Sequence, residues 1–414
     1  MTMIDTTSPQ VEHPIVNGSL ENGGVTKKLS VCMYTAESKR GHARYTRDLL
    51  TALSLAGTPK GYHFELVTSR DLDPSFQSTS YTINAILPPL LNRSCYRTKM
   101  SWGISRVLHY YNREKTFLKW LETRTDIDII HFQEYTPWLA PWHYDYLRRR
   151  GLGVVKTVHN IANFGHSSRV YMRQMRRCWR IAWGSCSALI VHTEGLREGL
   201  AEFLGAGHPP IHVTPHAVWQ ERTFEPVPPV LSPPGEPARL LFFGALRRDK
   251  GIDILLQAMP MLPNTRLTIA GETESPQHRE AIEAYNILHS NSPIEFLPRF
   301  IAEEEIAGLF DRSQVVVLPY TEFAAQSGVL HQAVAHGRPV VATSVGALGE
   351  SVRRWGIGEV VEPGNPEALA EGVKRLLLPE IYHQAASATA QVRDQMTWRR
   401  MAEATLDVYH SLKE

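Results

Sequence analysis

The stretch FEPVPPVLSPPGEPAR, 224–239, carries six prolines in sixteen residues. Proline fixes φ and removes a backbone donor, so this segment enters neither a helix interior nor a central strand and divides the chain in two. On each side, short runs rich in β-branched residues alternate with amphipathic segments. Ahead of it lie LSVCMYT (29–35), HFELVTS (63–69), DIDIIHFQ (126–133), GVVKTVHN (153–160), SALIVHT (187–193) and PIHVTPHAV (210–218). Behind it lie ARLLFFG (238–244), TRLTIAG (265–271), PIEFLPR (293–299), VVVLPY (315–320) and PVVATS (339–344). Runs this continuously apolar read as parallel strands covered on both faces, and their alternation with helices predicts two α/β units. The expected divisions are a polar, disordered tail over 1–28, a first unit over 29–223, a linker over 224–237 and a second unit over 238–390. An amphipathic helix within 391–414 is expected to be able to cross back to the first unit.

At 414 residues the chain exceeds one ordinary core. A net charge of 44 − 42 = +2 gives no reason to expect nucleic acid. No apolar run approaches the roughly eighteen residues of a membrane-spanning helix. The tail lacks the apolar core of an export signal, and the four cysteines show no CxxC spacing, which fits reduced thiols in the cytoplasm. Eighteen histidines raise the question of a metal, but HExxH is absent and no metal is expected.

Loops beyond the carboxyl ends of such strands are where ligands bind. In FFGALRRDKGIDILLQAM the strand ends at Gly244, and Arg247 and Lys250 sit in the loop that feeds the next helix. Two cations at a helix N-terminus suit a diphosphate, although a solvated turn has the same sequence. After VVVLPY, Gln326-Ser327-Gly328 precedes an apolar helix. Ser327 is a natural N-cap and Gly328 allows a close backbone approach, so the first-turn amides can face an anion; an ordinary capped helix fits equally. Two such sites in consecutive halves of one unit favour the anion reading.

The second half resembles the GT-B glycosyltransferases of the family-4 type, retaining enzymes that use nucleotide-diphosphate sugars. The matching residues are FFGALRRDKGIDILLQA, LTIAGE, EFLPRFIAEEEIAGLF, VVVLPY, QSGVLHQAVAHGRPVVATSVGALGE and GEVVEPGNPEALAEGVKRLL. GHARYTRDLLTAL, IIHFQE, VVKTVHNI and VTPHAV resemble the family's N-terminal motifs, and the likeness covers about 29–412. The resemblance implies an α/β fold of GT-B type, two Rossmann-like domains facing each other across a cleft. It implies acceptor binding in the N-terminal domain, donor binding in the C-terminal one, and no cofactor beyond the nucleotide sugar. The acceptor is left open among glycan, lipid-linked and small-molecule classes.

By the same resemblance Arg247 and Lys250 neutralise the donor diphosphate, with Gln326, Ser327 and Gly328 supplying the turn that holds it and Gly244 ending the strand beside it. Arg299 falls near the base-binding segment, His159 corresponds to a histidine that reaches the donor sugar, and Gly41 sits in the loop facing donor phosphate and acceptor. Ala324 and Gln332 stand where many relatives carry two glutamates, so Gln332 is left to hold ribose as a neutral group. Ala217 replaces the glycine of the PHG segment. His131 and His216 are read as packing residues. No carboxylate in the matched motifs is placed as a nucleophile, so the expected route is a front-face displacement in which the leaving diphosphate helps deprotonate the acceptor. The missing glutamates motivate a second reading, a non-catalytic sugar-nucleotide-binding partner subunit. An oxidoreductase is set aside because no strand is followed by GxGxxG.

Two basic stretches remain. Arg93, Arg97, Lys99, Arg106, Arg113, Lys115 and Lys119 face a single acid, Glu114, between residues 92 and 120. Arg169, Arg173, Arg176 and Arg180 recur at helical spacing with Met172, Met175, Trp179 and Trp183 beside them. Either an anionic acceptor or membrane surface, or a solvated helix face, accounts for them.

Overall fold

The computed structural model describes residues 29–36, 40–73, 76, 78, 80–91, 99–161, 169–218, 228–233, 235–273, 275–322 and 327–413. The tail 1–28, residues 219–227 of the linker region, and Ala324 and Gln326 lie outside the described residues.

The first half builds a sheet of β1 (Leu29–Tyr34), β2 (Tyr62–Ser69), β3 (Thr82–Leu87), β4 (Ile129–Phe132), β5 (Gly153–Thr157), β6 (Ala188–Val191) and β7 (Ile211–Val213). Its helices are α1 (Arg40–Gly57), α2 (Lys99–Glu122), α3 (Ala140–Arg149), α4 (Arg169–Gly184) and α5 (Glu194–Leu204). The strand order is β3-β2-β1-β4-β5-β6-β7, parallel throughout. Period two sets the two faces: Val31 and Met33 enter one core cluster, Cys32 and Tyr34 the other.

The second half repeats the plan. Its strands are β8 (Ala238–Phe243), β9 (Thr265–Ala270), β10 (Glu295–Leu297), β11 (Val315–Leu318), β12 (Val340–Thr343) and β13 (Gly358–Val361). Its helices are α6 (Ile252–Ala258), α7 (Pro276–Leu288), α8 (Glu303–Asp311), α9 (Gly328–Ala335), α10 (Gly346–Trp355) and α11 (Pro366–Leu376), followed by α12 (Pro379–Gln395) and α13 (Trp398–Ser411). The order β10-β9-β8-β11-β12-β13 is again all parallel. Each sheet is a doubly wound Rossmann-like sheet whose strand order reverses once, between β1 and β4 and between β8 and β11, and such reversals open a crevice at the carboxyl ends.

The last helix belongs to the first sheet. Met401, Leu406 and Tyr409 of α13 share a core with Val31, Met33 and Leu50, and Tyr409 Oη lies 2.6 Å from His131 Nδ1. Val218 N, ahead of the linker, donates to Met396 O at 3.0 Å, so the outgoing and returning chains are joined. Among the described residues no helix is long and apolar enough to cross a membrane.

Arg113 departs from the expected basic surface. It is fully buried on α2, its guanidinium donating to Pro88 O and Ala36 O, and so ties the helix to the ends of β3 and β1.

Candidate active site

β8 and β11 are neighbours at the reversal point, so the loops that follow them emerge together. Gly251 makes this possible: its φ is 67°, and a Cβ there would fall 1.9 Å from Pro319 O. Arg247 Nε and Nη2 donate to Asp249 Oδ1 and Oδ2 at 3.0 and 2.8 Å, and Thr321 N donates to Asp249 O at 3.0 Å. Lys250 Nζ lies 3.6 Å from the centre of the Tyr320 ring, a cation–π contact. The Tyr320 hydroxyl in turn lies 3.2 Å from Ser327 Oγ, which caps α9 by accepting from Leu330 N. Tyr320 therefore links the two segments expected to hold an anion, and the sequence flags it only as the last residue of VVVLPY. Burial, helped by Arg247 and opposed by Asp249, pushes the Lys250 amine down to about 7. Arg247, paired with Asp249, and Lys250 thus lie close to the helix start that Ser327 caps.

The other expected donor residues are spread around this corner. Gly244 directly follows β8 with φ 106°. Arg299 follows the edge strand β10 and is held by Glu305, with Nη1–Oε2 and Nη2–Oε1 at 2.7 and 2.5 Å. Gln332 is half-buried one turn into α9. Gly41 lies in the first turn of α1, and residues 37–39 before it are outside the described set, as is Gln326.

Across from α9 a cavity of about 870 Å³ opens at the carboxyl end of the first sheet, with Gly328 and His331 of the second half contributing to its lining. His159, just beyond β5, lines it and pairs Nε2 with Gln133 Oε1 at 3.2 Å. Gln133 Nε2 in turn faces His131 Nε2 at 3.3 Å. With the amide oriented this way, His159 carries its proton on Nε2 and keeps Nδ1 as an acceptor. Burial holds His159 well below the usual histidine range, with His42 and His192 adding to the effect.

His159 belongs to a ring cluster that sequence reading missed. Tyr45 lies 4.9 Å from His159 and 5.6 Å from His192, His192 is 4.8 Å from His216, and His216 stacks on His331 at 4.2 Å, centroid to centroid. His192 Nδ1 donates to Thr214 O at 3.0 Å and its Nε2 accepts from the Tyr45 hydroxyl at 3.2 Å. His331 Nδ1 donates to Ser327 O at 3.0 Å, while its buried Nε2 has no partner among the described residues. His216, read as a packing residue, stacks on the opposite half and also lines the cavity. His131 is structural, buried between Tyr409 and Thr157 Oγ1.

Two charged groups on the cavity wall were also not anticipated. Glu134 follows β4 and lies 3.7 Å from His42 Nε2; burial raises its carboxyl, and Lys156 partly offsets this. Lys156 donates from β5 to Gln133 O at 2.7 Å and Thr157 O at 2.5 Å, and burial lowers it to about 8. A carboxylate is thus present at the cavity, though outside the donor motifs. On α4 the arginines and the apolar residues separate. Met172, Met175, Trp179 and Trp183 line the cavity, and Arg173, Arg176 and Arg180 are exposed. Arg176 and Arg180 lie 5.0 and 5.3 Å over the Phe203 ring. The Arg169 side chain is outside the described set.

Residues 39–222 match the profile of Glycosyltransferase Family 4, and residues 237–378 that of Glycosyl transferases group 1. An uncharacterized glycosyltransferase of Methanocaldococcus jannaschii is 33% identical over 177 residues, 41% of this chain and 44% of that protein. The match therefore spans less than half the length of that relative. A sucrose-phosphate synthase from Thermosynechococcus elongatus superposes with a TM-score of 0.70 at 20% identity, over 93% of this chain and 99% of the other. The Anabaena protein HepE, crystallised with UDP and glucose, superposes with a TM-score of 0.63 at 15% identity, over 92% and 100%. At these identities the structural likeness establishes the fold, and the two profiles cover both halves of the chain. The chain belongs to the family-4 type of the group 1 glycosyltransferases and has the GT-B fold.

Proposed function

We propose that the protein is a retaining, metal-independent glycosyltransferase that moves a sugar from a nucleotide-diphosphate sugar to an acceptor hydroxyl. The observation that best supports this is the Arg247–Lys250 pair, joined through Tyr320 to the Ser327–Gly328 helix start at the strand-order reversal. In this reading the two cations and the first amides of α9 take the diphosphate, Arg299 lies toward the base and Gln332 toward ribose. Gly244 and Gly41 give the phosphates room, and Gln326 is assigned to the same site. The complex of HepE with UDP and glucose supports a nucleotide-bound donor.

The chemistry then follows from charge. The bond between the anomeric carbon and the diphosphate oxygen breaks, and both electrons leave with the diphosphate, where Arg247 and Lys250 stabilise them. The acceptor oxygen attacks from the same face, passing its proton to the departing phosphate oxygen. His159, with Nδ1 as an acceptor, orients a hydroxyl of the donor sugar, and the acceptor enters through the cavity. The exposed arginines of α4 and the exposed Ile104, Val107, Leu108 and Tyr111 of α2 are the surface we assign to peripheral membrane contact on the cytoplasmic side.

The test is direct. A panel of nucleotide sugars is screened for stabilisation of the fold, which bound ligand raises by mass action, and then for sugar transfer across acceptors. Stabilisation followed by transfer is the expected result. Binding without turnover would leave a partner subunit instead, and no binding of any nucleotide sugar would remove the reading.

A further inference from the structure

The walls of the 870 Å³ cavity hold polar groups, Arg106, Tyr110 and Asn160 among them, and one distinctly apolar stretch. At the end nearest His159 the polar groups are Gln133, Glu134 and Lys156. The apolar stretch is Met172, Met175, Trp179 and Trp183, which recur on α4 at i, i+3, i+7 and i+11 and so form one stripe. Trp179 and Trp183 stack with ring centres 5.8 Å apart and planes 11° from parallel. Met175 and Trp183 are themselves buried, Trp183 against Phe203 of α5; Met172 and Trp179 stay half-buried and line space large enough for a drug-sized ligand.

We infer that the acceptor is a hydroxyl carried on an apolar body. The hydroxyl lies at the Glu134 and His159 end, and the body lies against Met172 and Trp179. This rests on the transferase reading of the same site and goes beyond it by choosing among acceptor classes. The choice follows from where hydrogen bonds are offered. A saccharide carries hydroxyls around its whole rim, and those turned toward two methionines and two stacked tryptophans lose their water without a replacement partner, at about 1–3 kcal/mol each. An apolar body gains from the same contact, and Met172 and Met175 adapt to its outline. The shared chemistry is an alcohol on a hydrocarbon frame, whether a compact polycyclic alcohol or the end of a lipid chain.

Equilibrium dialysis and calorimetry with the full chain, using estradiol, dodecanol and maltose as probes with UDP as a separate ligand, test the assignment. Estradiol or dodecanol should bind, and Trp179→Ala should weaken that binding about tenfold or more with UDP binding unchanged. Met172→Gln, at a half-buried position that tolerates a polar group, should give the same selective loss if Trp179→Ala does not fold. Binding of estradiol alone identifies a compact alcohol, and binding of dodecanol alone a lipid alcohol; either supports the proposal. UDP binding with maltose bound and both alcohols excluded would overturn it while leaving the transferase reading intact. Loss of UDP binding by the unaltered chain would strike the transferase reading instead.

Discussion

Lys250 is the residue whose protonation depends most on what fills the site. Empty, it sits near 7 because it is buried beside Arg247; a diphosphate would reverse the balance and raise it. Binding a nucleoside diphosphate above pH 7 should therefore take up a proton, and the dissociation constant should rise about tenfold per pH unit above 7. Calorimetry in two buffers of different ionisation enthalpy reads the proton directly; identical heats in both would dissociate Lys250 from the diphosphate. Lys250→Ala should lower kcat/KM by about 10²–10³, the usual cost of removing one preorganised stabilising group. Gln332→Ala should raise the donor KM about fivefold through one lost neutral hydrogen bond, leaving kcat unchanged; an unaltered KM would make Gln332 merely a residue of α9. Arg247 and Lys250 were legible because a cation pair after a strand-ending glycine is written locally. Glu134 and Lys156 were not: a charge at the edge of an apolar run reads as the place where the strand meets water, and only the fold reveals that their side chains turn into a cavity.

The elements repeat this contrast. The buried central strands were visible as apolar runs, whereas β3, at the sheet edge and mostly half-buried, gave no comparable signal. The arginine stripe on α4 was legible as periodicity, but which of the apolar residues stay open to the cavity depended on how α4 packs against α3 and α5. At the loop after β8, Gly251→Ala forces a Cβ into Pro319 O. It should cost about 2 kcal/mol or more and pull Lys250 away from Tyr320, so both Tm and UDP binding should fall; a normal Tm would mean the loop finds another path. If α4 meets anionic lipid, reversing Arg173 and Arg180 to glutamate should abolish sedimentation with anionic vesicles at low salt, and binding by the unaltered chain should fade as salt rises. Salt-independent sedimentation would rule out the electrostatic contact.

For the molecule as a whole, the histidine cluster sets a pH limit. His192 and His331 are held down to about 4 by burial, whereas the unfolded chain protonates its histidines near 6.5. The unfolded state binds more protons between these values, so stability is fully present above about pH 6.5 and is lost as pH falls toward 4, by roughly 3 kcal/mol for each of these two residues. Urea titrations across this window should show the fall, and His192→Gln should reduce it by about half with His331 still in place; a flat profile in the unaltered chain would mean the cluster opens to water.

The hydrogen bond between Val218 and Met396 carries a different consequence. The chain leaves the first sheet and returns to it at one point, so everything between is, in connectivity, an insertion into a closed unit. Deleting 219–395 and joining Val218 to Met396 through a glycine or two would leave α13 seated on α1 with its core intact. Such a miniature should fold alone and keep the apolar stripe of α4, although it would lack Gly328 and His331. In connectivity the first half is then a closed module interrupted by the second, and the two are open to exchange by cutting and rejoining at a single seam.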